Sequence, residues 1–179
     1  GDLFIIGNSN PQFPFGIDLT GDWKGFDARI FFQGIGKRDW YPPANDAYFW
    51  GVYASWQSNV TVLDKNHWTP QNPNAYFPSL KGYIAYTGNL PGGVNEMSIP
   101  QTRYLQNAAY IRCKNITIGY SLPDKLVHKA KLEKVRFYFS AENIFEFDHL
   151  KAHLDPEELE DQTQYPFQRT YSVGLNFNF

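Results

Sequence analysis

The sequence has little that could do covalent chemistry. Cys113 is the only cysteine, so an internal disulfide and any C-x-x-C metal or redox site are excluded. Its ordinary role is that of a small residue in a strand. Sixteen basic and eighteen acidic side chains leave a net charge of −2, with Arg and Lys scattered. No basic field exists to attract a phosphate backbone, so nucleic acid is not an expected partner. No apolar stretch approaches the roughly 18 residues of a membrane-crossing helix. The start, Gly1-Asp2-Leu3-Phe4-Ile5-Ile6, carries no charged n-region, so no secretory leader is expected within it.

Nucleophile elbows, zinc-protease pairs and phosphate loops are also missing, and an enzyme is not expected. Asp155-Pro156-Glu157-Glu158, with Glu160 and Asp161, offers oxygen ligands, but its spacing is not that of a calcium loop. A solvated acidic loop is the simpler reading. His67 lies near Asp64 and Trp68 without a second histidine at ligand spacing, and His128, His149 and His153 are equally unsupported. No metal and no cofactor are assigned.

Aromatic residues are plentiful. Phe, Tyr and Trp number 15, 12 and 5, or 18% of 179 residues. Such residues favour strands and amphipathic interfaces. Mean hydropathy is only −0.47, as expected where apolar and polar residues alternate.

The alternation is cleanest at the C-terminus. Tyr171, Val173, Leu175, Phe177 and Phe179 interleave with Thr170, Ser172, Gly174, Asn176 and Asn178. Successive strand side chains point to opposite faces, which makes one face apolar and the other polar. The segment 169–179 is long enough for a tilted membrane strand of about 9–11 residues. Val135, Phe137, Phe139 and Ala141 oppose Arg136, Tyr138, Ser140 and Glu142 in the strand before it. Arg136 and Glu142 on one face suit a wet interior, where they read as solvated charges.

Further upstream, Ile116, Ile118, Tyr120 and Leu122 define a third strand reaching back to about Ala109. A blurred phase at 111–114 suggests a bulge. Phe13, Phe15, Ile17 and Leu19, then Phe26, Ala28, Ile30 and Phe32, give two more strands, joined by a tight turn at Lys24-Gly25. Pro123 opens a short helical turn. From Gly36 to about Arg103 there is no long alternation, and prolines punctuate the segment.

Connection lengths therefore alternate: short at 24–25, very long at 36–105, medium at 122–134, long at 148–168. Outer-membrane barrels combine short periplasmic turns with long extracellular loops. The expected fold is all-β: the last five or so antiparallel strands of a transmembrane β-barrel. The expected sides are extracellular for 36–105 and 148–168, and periplasmic for the turns at 24–25 and 122–134. Five strands cannot close a barrel, and an open edge is not tolerated in lipid. On this reading the chain is part of a longer polypeptide.

Several segments in order resemble one family. They are Gly25-Phe26-Asp27 through Phe31-Phe32-Gln33-Gly34-Ile35-Gly36-Lys37-Arg38-Asp39, Lys114-Asn115-Ile116-Thr117-Ile118-Gly119-Tyr120-Ser121-Leu122-Pro123, and Val135-Arg136-Phe137-Tyr138. Ser140-Ala141-Glu142-Asn143-Ile144-Phe145, Asp155-Pro156-Glu157, Tyr165-Pro166 and Arg169-Thr170-Tyr171-Ser172-Val173-Gly174-Leu175-Asn176-Phe177 follow. Together they resemble the C-terminal end of SusC/RagA-type TonB-linked outer-membrane proteins of Bacteroidetes, in all but roughly residues 40–100. The resemblance implies a barrel of about twenty-two strands with an N-terminal plug. It also implies a SusD-like surface lipoprotein as partner, oligosaccharides or peptides as cargo, and energy from the TonB complex. The plug and the TonB-contacting region lie outside this sequence. The cell outer membrane is the implied location.

Two sets of residues stand out as candidate sites. Trp40, Tyr41, Tyr48, Phe49, Trp50, Tyr53 and Trp56 cluster in the long loop. Their rings could stack on sugars or meet a partner protein, or could form the loop's own small core or an interface belt. Tyr171, Val173, Leu175, Phe177 and Phe179 resemble the terminal signal read by the barrel-assembly machinery. The competing reading is a soluble, secreted β-sandwich that binds carbohydrate through the Trp-rich segment. It requires a second sheet over the apolar side chains.

Overall fold

A computed structural model describes residues 3–43, 46–54, 60–80, 99–151, 154–159 and 168–179. Its strands are β1 (Gln12–Trp23), β2 (Phe26–Lys37), β3 (Asp39–Trp40), β4 (Gln106–Asn107), β5 (Tyr110–Ser121), β6 (Lys134–Glu142), β7 (Glu146–Asp148) and β8 (Thr170–Asn178). No helix among the described residues is long and apolar enough to cross a membrane, which says nothing of strands.

The chain divides into two compact units. One comprises Pro11–Lys37, Ala109–Asp148 and Tyr165–Phe179 and holds the main sheet, in the order β1-β2-β5-β6-β8. Every neighbouring pair in it is antiparallel. Lys24 and Gly25 both have positive φ, 47° and 88°, and Trp23 pairs directly with Phe26. This is a two-residue type I′ turn, whose twist matches the strands and whose second position glycine fills without strain.

The bulge expected at 111–114 falls at Lys114: Phe31 pairs with Asn115 and Phe32 with Cys113, leaving Lys114 unopposed. At the same level Asn143 has φ 51°, and Asn143 N–H donates to the Lys114 carbonyl at 3.2 Å. The chain then resumes as β7 beside the first residues of β5. The segment expected as loop from Asp148 thus begins with a residue still in the sheet, and Glu146 and Phe147 extend the preceding strand past its kink.

Between Pro123 and Lys134 lie one helical turn, Asp124–Val127, and a 3₁₀ turn, His128–Ala130, closed by Lys131 in the left-handed region. The short connections at 24–25 and 122–133 and the end of β8 all lie at one end of the sheet. The long excursions leave from the other end.

The second unit comprises Gly1–Asn10, Arg38–Ala108 and His149–Gln164. The paired two-residue strands β3 and β4 tie the ends of its main excursion together. Pairing in this unit is otherwise limited, among the described residues, to two isolated bridges, His67 with Phe77 and Thr69 with Asn72. Between Lys37 and Gln106 the described residues include no strand longer than two residues, but the segment is not structureless. It folds around a core of its own.

Candidate functional site

The register of the sheet decides what each face can do. Phe15, Ile17, Leu19 and Trp23 of β1 share a face with Phe26, Ala28, Ile30 and Phe32 of β2. Ile116, Ile118 and Tyr120 of β5 continue it, as do Val135, Phe137, Phe139 and Ala141 of β6. Tyr171, Val173, Leu175 and Phe177 of β8 complete it. No charged side chain interrupts this face across these five strands. Most of it is exposed, with Leu19 at 54%, Trp23 at 69% and Val173 at 83%, while Val135 and Ala141 are buried.

An apolar surface of this extent far exceeds what a water-soluble monomer leaves open. Aromatic rings gather toward its two ends. Trp23, Phe26, Tyr120 and Phe137 form a row near the short turns, with Phe26 and Tyr120 centroids 4.6 Å apart. Phe32, Phe145 and Phe147 group near the other end, at 6.1 Å and 5.7 Å. Aliphatic residues dominate between them. About eight residues separate Phe15 from Trp23, or roughly 26 Å along a strand and about 20 Å in depth once tilted as barrel strands are.

The opposite face is polar and internally paired. Asp18 takes a bidentate contact from Arg29, 2.5 Å at its shorter oxygen–nitrogen distance. Glu146 pairs with Arg112, and Asp27 with Arg136. Asn115, Thr117 and Ser140 form a hydroxyl–amide cluster at 3.1–3.3 Å. The Asp27–Arg136 pair corrects the expectation of a merely solvated Arg136. It joins β2 to β6 by reaching across β5 at Gly119, where any Cβ would strike both partners. Glycine is required there because the two side chains lie directly on the backbone. Tyr138, beside Arg136, lies over Gly174 of β8 in the same manner.

The loop unit reverses this logic. Trp40, Phe49, Trp50, Tyr53, Phe77 and Tyr104 form one buried cluster, joined by Ala54, Ala108 and Leu159. Trp50 is 1% exposed and Tyr53 0%. Phe49 and Trp50 meet edge to face at 4.7 Å, and Phe77 stacks on Tyr104 at 5.7 Å. The polar edges of these rings are satisfied: Trp50 donates to the Pro43 carbonyl at 2.8 Å and Tyr53 to the Pro78 carbonyl at 2.8 Å. Buried Asp64 accepts the Thr61 N–H at 2.8 Å, and Arg103 donates to the carbonyls of Ala75 and Tyr76. Burial raises the phenol pKa of Tyr41 to about 12, and raises those of Tyr76 and Tyr104 as well.

Of the aromatic residues singled out for ligand or partner contact, Trp40, Trp50 and Tyr53 are therefore corrected to core positions. Their faces are already occupied by other rings. Tyr41 is half-buried, with its hydroxyl donating to the Ile99 carbonyl at 3.0 Å, and Tyr48 is 64% exposed. Trp56 lies outside the described residues, as do Glu160, Asp161 and His153. Among the described residues no three His, Cys, Asp or Glu side chains converge as a metal would need. The five terminal residues Tyr171, Val173, Leu175, Phe177 and Phe179 are all exposed. The first four share the apolar face, and Phe179 follows the strand's last residue.

A sheet with one exposed apolar face and a charged reverse side matches one class of protein in sequence and in structure. TonB-dependent receptor P3 of Formosa agariphila is 29% identical over 191 residues, covering 99% of this chain and 17% of the relative. Receptor P26 of the same organism is 23% identical over 193 residues. The chain is homologous to TonB-dependent receptors. Among solved structures, the RagAB peptide transporter superposes with a TM-score of 0.71 at 27% identity, over 98% of this chain and 18% of that one. The RagAB peptide importer in its open-open state gives 0.70 over the same shares. No family model matches the chain.

The likeness to both receptors and RagAB spans nearly all 179 residues, including the excursion that carries no strand alternation. TonB-dependent receptors and RagA are outer-membrane transporters. The chain spans less than a fifth of the length of the relatives it matches. The described sheet is open, with β1 at one edge and β8 at the other.

Proposed function

We propose that this chain is the C-terminal wall of a TonB-dependent outer-membrane importer of oligosaccharides or peptides. The supporting observation is the apolar face that runs unbroken across β1, β2, β5, β6 and β8 while ion pairs line the reverse. In a closed barrel such a face meets hydrocarbon and the charged face meets a watery lumen. The excursion 36–105 and the loop 148–168 then stand on the extracellular side, and the turns at 24–25 and 122–134 on the periplasmic side. The residues 169–179 form the strand presented to the barrel-assembly machinery.

Cargo capture involves a SusD-like surface lipoprotein, and the TonB complex engages a region outside these residues. The likeness to the RagAB peptide importer favours peptide over oligosaccharide as the cargo to try first. The prefolded loop unit, with Tyr48 exposed on it, is the surface offered to that lipoprotein.

Spin labels in the full-length receptor, reconstituted in lipid, test the reading. Labels at Ile17, Ile30, Phe139 and Val173 are expected to be quenched by lipid-dissolved oxygen and shielded from an aqueous quencher. Labels at Thr20, Arg29, Ser140 and Ser172 should show the reverse. Water access from both faces would exclude a membrane wall. The sandwich alternative would instead need the first set shielded from both quenchers by a second sheet, and none covers them within the described residues.

A further inference from the structure

The hydrogen-bonding parity of β1 follows from its turn. In a two-residue hairpin the residues flanking the turn form a hydrogen-bonded pair, here Trp23 with Phe26. Pairing then runs without a shift to Pro14 opposite Ile35. Bonded and non-bonded pairs alternate, so the odd residues of β1 bond to β2 and the even ones aim N–H and C=O outward. The far side of β2 agrees. Ser121 N–H donates to the Gly25 carbonyl at 2.8 Å, which assigns the odd residues of β2 to β5.

The outer edge of β1 therefore presents Gly16, Asp18, Thr20 and Asp22, and next in line Pro14, which has no N–H. Phe13 beyond it has φ 55°, outside the strand conformation. Upstream residues are committed elsewhere: Asp39 N–H donates to the Asn8 carbonyl and Asn8 N–H to Asp39 Oδ2, both at 2.9 Å. Arg38 Nε donates to the Ser9 carbonyl at 3.2 Å.

In a closed barrel β1 is paired by a neighbouring antiparallel strand of the receptor polypeptide; we propose that this ladder runs along Gly16–Asp22 only, and that Pro14 ends it. The inference rests on the barrel reading. The matched relatives are more than five times longer than this chain and so have strands to supply, and four outward N–H groups at hydrocarbon depth would each cost several kcal/mol if unpaired. Above Pro14 the wall carries no cross-strand bond at this seam.

Proline substitutions in the full-length receptor test it. A proline whose N–H side faces solvent is tolerated on an edge strand, but one facing a partner is not. Thr20→Pro leaves the β2 side intact and is expected to lower the assembled outer-membrane yield about tenfold or more. Gln12→Pro, beyond the ladder, should stay within about twofold of the parent, since no bonded neighbour is lost there. Leu19→Pro, which breaks a β1–β2 bond, serves as the control for full loss.

Because Thr20→Pro could also fail through strain, amide exchange of the unmodified receptor is the second measurement. Gly16, Asp18, Thr20 and Asp22 should exchange as slowly as Arg29, and Gln12 much faster. Rapid exchange at those four, or a Thr20→Pro yield equal to the parent, overturns the proposal. So does a Thr20→Pro variant that assembles but changes from dimer to monomer, which would give the edge to a second copy. A parent receptor recovered free of membrane would instead sink the barrel reading itself.

Discussion

The sheet and the loop unit draw on the same aromatic alphabet and use it in opposite senses. Phe26, Phe137 and Tyr171 point out of the sheet and stay exposed, whereas Phe49, Trp50 and Tyr53 point into the loop unit and are sealed. Composition alone could not separate the two. The period of the pattern does: strict alternation gives a face that must find an external apolar phase, and irregular clustering gives rings that find one another.

The strongest way to break this contrast is to empty the loop core. Trp50→Ala should destabilise the loop unit by about 3–5 kcal/mol, as loss of a buried aromatic does. Protease nicking within 38–108 should rise while the receptor still reaches the membrane. Loss of the barrel as well would mean the two regions do not fold separately.

Next in size comes a charge on the apolar face. Val173→Arg, nearer the middle of that face, should cost about 2–4 kcal/mol in assembly, whereas Ser172→Arg on the opposite face should cost much less. Heat-modifiable gel mobility of the membrane fraction reads both. Equal effects would show that β8 has no lipid face.

A smaller change probes the polar side. Gly119→Ala should cost about 1–3 kcal/mol by displacing the Asp27–Arg136 contact. In that background Asp27→Asn should add little, because the pair it breaks is already gone. A fully additive double mutant would show that glycine is not there for the ion pair.

The gentlest test is pH. Burial raises the Tyr41 pKa above its ordinary value of 10.0 to about 12, so the folded loop favours the neutral phenol. A raised folded pKa contributes stability that is complete below the unfolded value and lost as pH rises through the folded one. The loop unit should hold to about pH 10 and weaken toward 12. Phenolate absorbance should show Tyr41 ionising only as pH nears 12.

The five long strands, the turn at Lys24-Gly25 and the irregularity at 111–114 were all readable beforehand, because alternation and turn chemistry are properties of neighbouring residues. The terminal set from Tyr171 to Phe177 was readable for the same reason. Trp40, Trp50 and Tyr53 looked available for ligand because a one-dimensional cluster does not say whether its rings face outward or each other. Their partners Phe77 and Tyr104 lie more than twenty residues downstream of Tyr53, in a proline-rich stretch with no period to flag them. β7 was missed since the kink at Asn143 interrupts the alternation just before it.

The sequence by itself determined that this is a two-faced antiparallel sheet with short and long connections in turn, since side-chain direction in a strand is fixed by backbone geometry two residues at a time. Only the tertiary structure decided that the loop aromatics are a core, and that Arg136 meets Asp27, 109 residues away, across the bare backbone of Gly119. It also placed Pro14 of β1 on an outer edge. These depend on which strands become neighbours and in what register, and no local pattern carries that information.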